Sequence, residues 1–260
     1  AANLSDIAAM GAQPVLATVA LGVTPQVSEE WILECYRGMI ALATQHATRI
    51  VGGDIVRAPA LTLSLTLVGE VAPARLRRRD GGRPGDVLAV TGALGASRAG
   101  LELLRGTLEV DAEHRRDALA AFATPQPRVR EGRWLAASRN VHALMDVSDG
   151  VSSDVTRLAR ASGCGATLTS VPVHPAAQAV AEAAGADALG YALDGGEDYE
   201  LLVALAPRAF SHLAKRFAQR FGRPLLQIGR LEAEPGVRLR DAASERVLAA
   251  AGWDHFAPAL

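Results

Sequence analysis

The sequence of 260 residues is poor in cysteine, in aromatic residues and in net charge. Its two cysteines, Cys35 and Cys164, stand isolated, which excludes a disulfide framework and favours a reducing, cytoplasmic setting. Positive and negative charges nearly cancel, at −1 overall, so we expect neither a nucleic-acid partner nor a membrane-surface partner. The longest apolar stretch, PVLATVALGV, has about ten residues and is too short to span a bilayer.

Lysine is almost absent, with Lys215 as the single example. There is no GxxxxGK[ST] motif, which excludes a P-loop nucleotidase, and no HRD or DFG set, which excludes a protein kinase. The turn TGALGAS at 91–97 is a weak phosphate-binding signal and is more typical of a packing turn. If the protein handles ATP, metal ions and arginine must bind the phosphates.

Hydrophobic residues make up 49% of the chain, enough for two domains of ordinary size. The pattern predicts a strand at 13–22, a helix capped by Ser28, and a strand at 61–71, whereas 75–86 (RLRRRDGGRPGD) is polar and rich in turn residues. Strands and helices alternate after that, including a helix capped by Ser152 or Ser153 and a strand over EDYELLVAL. We predict an α/β (α+β) fold with a mixed-sheet domain at 1–83 and a layered α/β domain at 84–260.

Acidic residues recur beside glycines or apolar runs, where α/β enzymes expose their chemistry. They are Asp6, Asp54, Asp146, Asp149, Glu197 and Asp198. Each alone could be a turn residue or a helix cap. If the first four converge, each pair at about 4 Å costs on the order of 4 kcal/mol at an effective dielectric near 20, so a cation must offset the repulsion. The six histidines form no HExxH zinc pattern, and oxygen ligands suit Mg²⁺ or Mn²⁺.

Six motifs then occur in order between residues 3 and 256: NLSDIAAMGAQP, VGGD, RRDGGRPGD, MDVSDGVSSD, GGEDYELL and GWDHF. Together they resemble the thiamine-monophosphate kinase family, in the superfamily of aminoimidazole ribonucleotide synthetase and selenophosphate synthetase. The resemblance implies an aminoimidazole ribonucleotide synthetase-like fold of two domains. It also implies ATP- and Mg²⁺-dependent phosphorylation of thiamine monophosphate to thiamine diphosphate by a homodimer that pairs through its first domain.

The resemblance also assigns roles to individual residues. It implies metal ligands at Asp6, Asp54, Asp146 and Asp149, the last three also catalytic; ATP contacts at Tyr36, Gly53, Asp54, Arg79 and Ser148; and thiamine monophosphate contacts at Glu197 and Trp253. The indole of Trp253 could attract the thiazolium cation, or it could simply anchor the last segment to the core. Without the resemblance, core packing is favoured for Tyr36, and Arg79 is a solvated linker charge. Glu197 could hydrogen-bond an aminopyrimidine, or it could equally be a turn acid.

Members of this family carry a segment before NLSD with further aspartates, and the sequence begins at AANLSD. If that segment is missing, we expect part of the metal cluster and of the first domain to be missing with it. Two alternatives therefore stay open: a superfamily relative that activates another substrate with ATP, and a non-catalytic nucleotide-binding fragment.

Overall fold

The computed structural model describes residues 1–241 and 244–252. The helices are α1 (Ala2–Ala9), α2 (Glu29–Gln45), α3 (Ala96–Arg105), α4 (Ala112–Ala123), α5 (Val129–Ala136), α6 (Val151–Ala161), α7 (Pro175–Ala184), α8 (Ala188–Asp194) and α9 (Pro207–Phe221), with a 3₁₀ turn at Pro73–Arg75. The strands are β1 (Gln13–Val23), β2 (Arg49–Arg57), β3 (Thr62–Glu70), β4 (Val87–Val90), β5 (Val141–Asp146), β6 (Gly165–Leu168), β7 (Leu201–Leu205), β8 (Leu226–Glu232), β9 (Val237–Arg240) and β10 (Glu245–Val247). No helix in these two ranges is both long enough and apolar enough to cross a membrane.

The first sheet has the order β2-β1-β3, with β1 parallel to β2 and antiparallel to β3. Helix α2 begins as predicted, because the Ser28 side chain accepts a hydrogen bond from the Trp31 N–H at 3.2 Å. The apolar residues that recur along one face of α2 are half-buried, and none is fully buried: Ile32, Cys35, Tyr36, Met39 and Leu42. Other large apolar residues of α2, β2 and β3 remain exposed: Trp31, Leu33, Ile40, Val51, Ile55, Val56, Leu63 and Val68. The first sheet therefore carries a broad uncovered apolar surface in the single chain.

The second sheet has the order β10-β9-β6-β8-β4-β7-β5 and is antiparallel except between β6 and β9. Successive side chains of a strand point to opposite sides of the sheet, and a hydrophobic core covers each side of the central strands. In β4, Leu88 and Val90 pack with α6 on one face, whereas Val87 and Ala89 pack with α1, α5 and α9 on the other. The predicted α/β (α+β) architecture is confirmed.

Helix α1 was not predicted, and it is the element that links the two sheets. Its Leu4 and Ala8 belong to the core beneath the second sheet, and Ile7 lies against Gly69 of β3. The approach of α1 to α5 requires glycine at position 132, where a Cβ atom would lie 2.3 Å from the Ala8 carbonyl oxygen. The division of the chain at residues 83/84 stays a prediction.

Two details of the prediction were wrong. Helix α6 begins at Val151 behind Gly150 rather than behind a capping serine. Ser152 Oγ instead donates to Asp194 at 2.5 Å, and Ser153 Oγ accepts from the Gly252 N–H at 3.0 Å, so both hydroxyls serve tertiary contacts. The strand predicted over EDYELLVAL begins only at Leu201, which leaves the acidic part of that motif in an irregular segment ahead of β7.

Candidate active site

A cleft of about 430 Å³ opens where β5 ends and α6 begins. Asp146 is the last residue of β5, and Ser148 and Asp149 follow in the short loop before α6. The polar residues that line the cleft are Asp6, Arg79, Asp146, Ser148, Asp149, Asp154 and Arg157. Three of the four predicted metal ligands therefore meet in one place, as does the arginine predicted to bind phosphate.

Asp146 lies deepest, with 7% of its surface exposed, and Ser5 Oγ of α1 donates a 2.7 Å hydrogen bond to its Oδ2. Burial raises the pKa of Asp146, and the nearby Asp149 adds to that rise, while Ser5 and Arg79 oppose it. The pKa of Asp6 is also raised, by burial and then by the Asp146 charge, with Arg79 again opposing. Arg79 does not fully offset the negative charge of Asp6 and Asp146, because the pKa of each stays raised, so a cation would be stabilised between these carboxylates.

A fully buried aspartate holds the loop that carries Asp149. Asp154 Oδ2 accepts the backbone N–H groups of Ser148 and Asp149, at 3.0 and 3.1 Å, and its Oδ1 accepts from Arg157 Nη1 at 2.8 Å. Burial raises the pKa of Asp154 to about 6 against those contacts. The same Arg157 nitrogen also contacts Asp149 Oδ2. Sequence reasoning overlooked both Asp154 and Arg157, although the MDVSDGVSSD motif ends on Asp154.

The segment before β7 is hydrogen-bonded to the loop that follows β5. The Glu197 N–H donates to the Ser148 carbonyl at 2.7 Å and the Tyr199 N–H to the Val147 carbonyl at 2.9 Å. Both Glu197 and Tyr199 have positive φ, 56° and 50°, which is strained backbone for residues with a side chain. Burial raises the pKa of Tyr199 to about 12, and the acids around it contribute, first Glu197 and then Asp146, Asp6 and Asp149. Tyr199 is therefore a neutral hydroxyl close to the acidic cleft, and sequence reasoning did not single it out.

Other predicted residues do not reach the cleft in the single chain. Asp54 is exposed on β2, opposite Ala20 of β1, so the predicted four-aspartate cluster does not form within the described chain. Gly53, with φ +154°, is required because a Cβ atom would lie 1.8 Å from the Val19 carbonyl oxygen. Tyr36 is half-buried on α2 and does not line the cleft either. Trp253 lies outside the described residues.

The donor set of the cleft fits a hard divalent cation. Asp6, Asp146 and Asp149 offer only carboxylate oxygens, the ligands that Mg²⁺ prefers. Across residues 1–241 and 244–252, however, no three side chains of His, Cys, Asp or Glu are grouped closely enough to hold one ion by themselves. An ion in the cleft would complete its coordination with water or with ligand phosphates, as Mg²⁺ usually does in phosphoryl-transfer sites.

A second cavity, of about 340 Å³, lies on the other side of the segment before β7. Its floor is Glu200, which accepts from Arg128 Nη2 at 2.8 Å, from Arg223 Nη2 at 2.5 Å and from Thr91 Oγ1 at 2.5 Å. Burial raises the pKa of Glu200, but the two arginines outweigh it and hold that pKa below its usual value. Nothing in the spacing of these residues predicts the network, because its members are far apart in the chain.

Two family models match most of the chain: AIR synthase related protein, N-terminal domain, over residues 1–71, and the C-terminal domain of the same family over residues 83–242. A thiamine-monophosphate kinase of Synechococcus elongatus is 35% identical over 262 residues, which cover 98% of this chain and 78% of that protein.

Two solved structures are similar over almost the same extent. A thiamine-monophosphate kinase from Stenotrophomonas maltophilia K279a has a TM-score of 0.83 and 36% identity, over 93% of this chain and 77% of the other. A structure described as AaThiL complexed with AMPPCP and TMP has a TM-score of 0.83 and 29% identity, over 98% of this chain and 78% of the other.

Proposed function

The chain belongs to the thiamine-monophosphate kinase family, and we propose that the acidic cleft is the place where it performs that family's reaction. The reaction is the ATP-dependent phosphorylation of thiamine monophosphate to thiamine diphosphate. The observation that carries the proposal is the meeting of Asp6 from α1 with Asp146 and Asp149 from the end of β5, around Arg79. In the solved relative, an ATP analogue and TMP are bound together, which supports this pair of reactants.

Phosphoryl transfer depends on positioning and charge neutralisation more than on covalent chemistry. Both reactants are anionic, and the acceptor is a phosphate oxygen that is already nucleophilic. Asp6, Asp146 and Asp149 would hold Mg²⁺, and bound Mg²⁺ would lower the repulsion between the phosphates of the two reactants. Arg79 adds a positive charge at the rim of the cleft, and Ser148 offers a hydroxyl beside the same acids. Asp154 keeps the loop in place by accepting two of its N–H groups.

We assign the remaining contacts by the family resemblance. Gly53, Asp54 and Tyr36 would contact ATP, with Asp54 also binding metal, and Glu197 and Trp253 would contact thiamine monophosphate. The position of Glu197 supports its part, because its N–H is bonded to the Ser148 carbonyl at the wall of the cleft. Glu197 can accept a hydrogen bond from the aminopyrimidine of the substrate. Asp54 and Tyr36 belong to the first sheet and its helix, so the nucleotide would have to bridge from the cleft to that sheet.

We also propose that the protein is a cytoplasmic homodimer that pairs through its first sheet. Support comes from the exposed apolar side chains of α2, β2 and β3, of which four are more than half exposed: Ile40, Val51, Ile55 and Val56. A surface of this kind is typical of a protein interface. Sedimentation or light scattering should give twice the chain mass, and Ile55→Glu should convert the dimer to a monomer. A wild-type monomer at micromolar concentration would contradict the pairing.

The proposed reaction is tested by following thiamine diphosphate formation from ATP and thiamine monophosphate by ion-exchange chromatography. We expect product that requires Mg²⁺ and stops with EDTA. Asp146→Asn should lower kcat/KM by about 100-fold or more, the usual cost of losing one electrostatic stabiliser. The matched control Asp117→Asn, on α4 and outside the cleft, should be close to wild type. Turnover by Asp146→Asn at the wild-type rate would refute the assignment of the reaction to this cleft. If the wild-type protein phosphorylates another acceptor and not thiamine monophosphate, the assigned substrate is refuted.

A further inference from the structure

Arg157 contacts two carboxylates, one partly exposed and one fully buried. It extends from α6 with 43% of its side chain exposed, and its Nη1 contacts both Asp149, which is 28% exposed, and Asp154, which is fully buried. Its position is unusual for a surface arginine, because one nitrogen joins a buried structural acid to an acid of the open cleft.

Asp154 fixes Arg157 independently of Asp149. The buried carboxylate is itself held by the backbone N–H groups of Ser148 and Asp149, so its place does not depend on the Asp149 carboxylate. The Asp154 contact therefore keeps the guanidinium near Asp149 even when the Asp149 carboxylate binds a cation instead. A side chain held in this way acts as a fixed positive charge rather than a freely reorienting one.

The charges that line the cleft show how Arg157 could affect the binding of a cation. Four acids line it, Asp6, Asp146, Asp149 and Asp154, against the two arginines Arg79 and Arg157. Arg157 contacts Oδ2 of Asp149, one of the two oxygens that a metal ion could use. A divalent cation on Asp149 must either displace the guanidinium from that oxygen or accept a positive charge next to it. Both alternatives make it unfavourable for the Arg157 guanidinium and a divalent cation to contact Asp149 at the same time.

We propose that Arg157 is a built-in counter-ion of Asp149 that competes with the divalent cation, and so sets the Mg²⁺ concentration at which the cleft fills. The inference rests on the proposed function, since it concerns the same metal-binding acids. Arg157 is a positioning residue: in the metal-free protein it keeps Asp149 oriented and neutralised, and it yields this carboxylate when the cation arrives. Because binding linkage is reciprocal, removal of the guanidinium tightens the metal site.

The decisive experiment is calorimetric titration of the full chain with Mg²⁺, without nucleotide, in wild type and Arg157→Gln. We expect the variant to bind Mg²⁺ more tightly by roughly two- to fivefold, the factor that a partly exposed ion pair is worth. Arg157→Lys keeps the charge and should stay near wild type. Arg160→Gln, on the same helix but outside the cleft, is the matched control and should not change the affinity.

A thermal melt of the same proteins gives a second readout that does not depend on turnover. Arg157→Gln should melt below wild type in EDTA, because two acids lose their counter-charge, and should gain more from added Mg²⁺. Unchanged or weaker Mg²⁺ binding by Arg157→Gln would overturn the competition while leaving the metal site intact. Absence of Mg²⁺ binding in wild type and in every variant would overturn this inference alone, because the proposed reaction can take its Mg²⁺ together with ATP and is tested separately by the turnover assay with EDTA.

Discussion

Replacing Glu200 with glutamine removes the charge that holds two arginines together beside the acidic cleft. The Glu200 side chain is 6% exposed and receives hydrogen bonds from Arg128, Arg223 and Thr91. Glutamine has nearly the same shape but no charge, and half of its polar end is a donor that faces other donors. The substitution therefore leaves two guanidinium groups without their acid, in a site that water reaches only in part.

The size of the effect follows from the burial of the partners. Breaking a buried ion pair by removing one member typically costs about 3–5 kcal/mol. Arg128 and Arg223 are each 23% exposed, so water compensates them in part, and we expect the lower end, about 3 kcal/mol. At roughly 2–4 °C per kcal/mol for a protein of this size, Tm should fall by about 6–12 °C.

The pH dependence of this loss has a definite sign. The pKa of Glu200 is held below its ordinary value by the two arginines, so the folded protein binds this proton less readily than the unfolded chain. The stabilisation by Glu200 is then complete above the ordinary glutamate pKa and is lost as pH falls through the lower folded value. The difference between wild type and Glu200→Gln should be full at pH 7 and should shrink in acid below about pH 4.

Differential scanning calorimetry of both proteins at pH 7 and in acid measures both quantities. Glu34→Gln is a useful control, because Glu34 pairs with Arg37 on an open helix surface and its loss should move Tm by less than about 1 °C. A Glu200→Gln protein that melts within about 2 °C of wild type at pH 7 would show that the network contributes little to stability. A difference that grows on acidification would contradict the assigned charge state.

Three further substitutions, of which Gly38→Ala is a control, probe the geometry of the cleft. Gly132→Val places a side chain 2.3 Å from the Ala8 carbonyl oxygen and should push α1 away from α5, lowering Tm by several degrees and weakening Mg²⁺ binding because α1 carries Asp6. Gly38→Ala, where a Cβ atom meets nothing within 4 Å on α2, should leave both quantities unaltered or raise Tm slightly; equal effects of the two changes on calorimetry would contradict this view of α1. Tyr199→Phe should lower kcat/KM for thiamine monophosphate by roughly three- to tenfold with Tm nearly constant, the value of one hydrogen bond lost to a ligand. Steady-state kinetics equal to wild type would show that the Tyr199 hydroxyl does not meet the reactants.

Continuous apolar runs predicted most strands of the second sheet, because a sheet buried on both faces produces such runs, as in β4 and β5. Local sequence patterns gave wrong predictions where contacts between distant parts of the chain determine the structure. Ser152 and Ser153 look like helix caps, yet their hydroxyls bond to Asp194 and Gly252, which are distant in the chain. Helix α1 went unrecognised because its eight residues are stabilised by packing between two sheets and by no side-chain cap.

The site was predictable where its residues cluster in one motif. Asp146 and Asp149 flank a turn after an apolar strand, and the structure shows that turn at the cleft. The partners of these acids were not predictable in the same way. Ser5 reaches Asp146 across 141 positions of the chain, and Arg157 shows no pattern that separates it from an ordinary exposed helix arginine. Such contacts depend on how elements dock, which local spacing does not encode.

The segment before β7 explains why the two cavities should respond to each other. Its residues alternate: Glu197 and Tyr199 lie toward the acidic cleft, whereas Asp198 and Glu200 line the second cavity. The backbone joins the two sides, since the Val147 N–H donates to the Glu200 carbonyl at 2.8 Å and the Tyr199 N–H returns to the Val147 carbonyl. Val147 sits directly after Asp146. A change at the Glu200 side chain that shifts this backbone would also shift the loop that carries Asp149, so we expect Glu200→Gln to reduce turnover as well as stability. Asp117 lines the same cavity from α4, and Asp117→Asn should reduce neither.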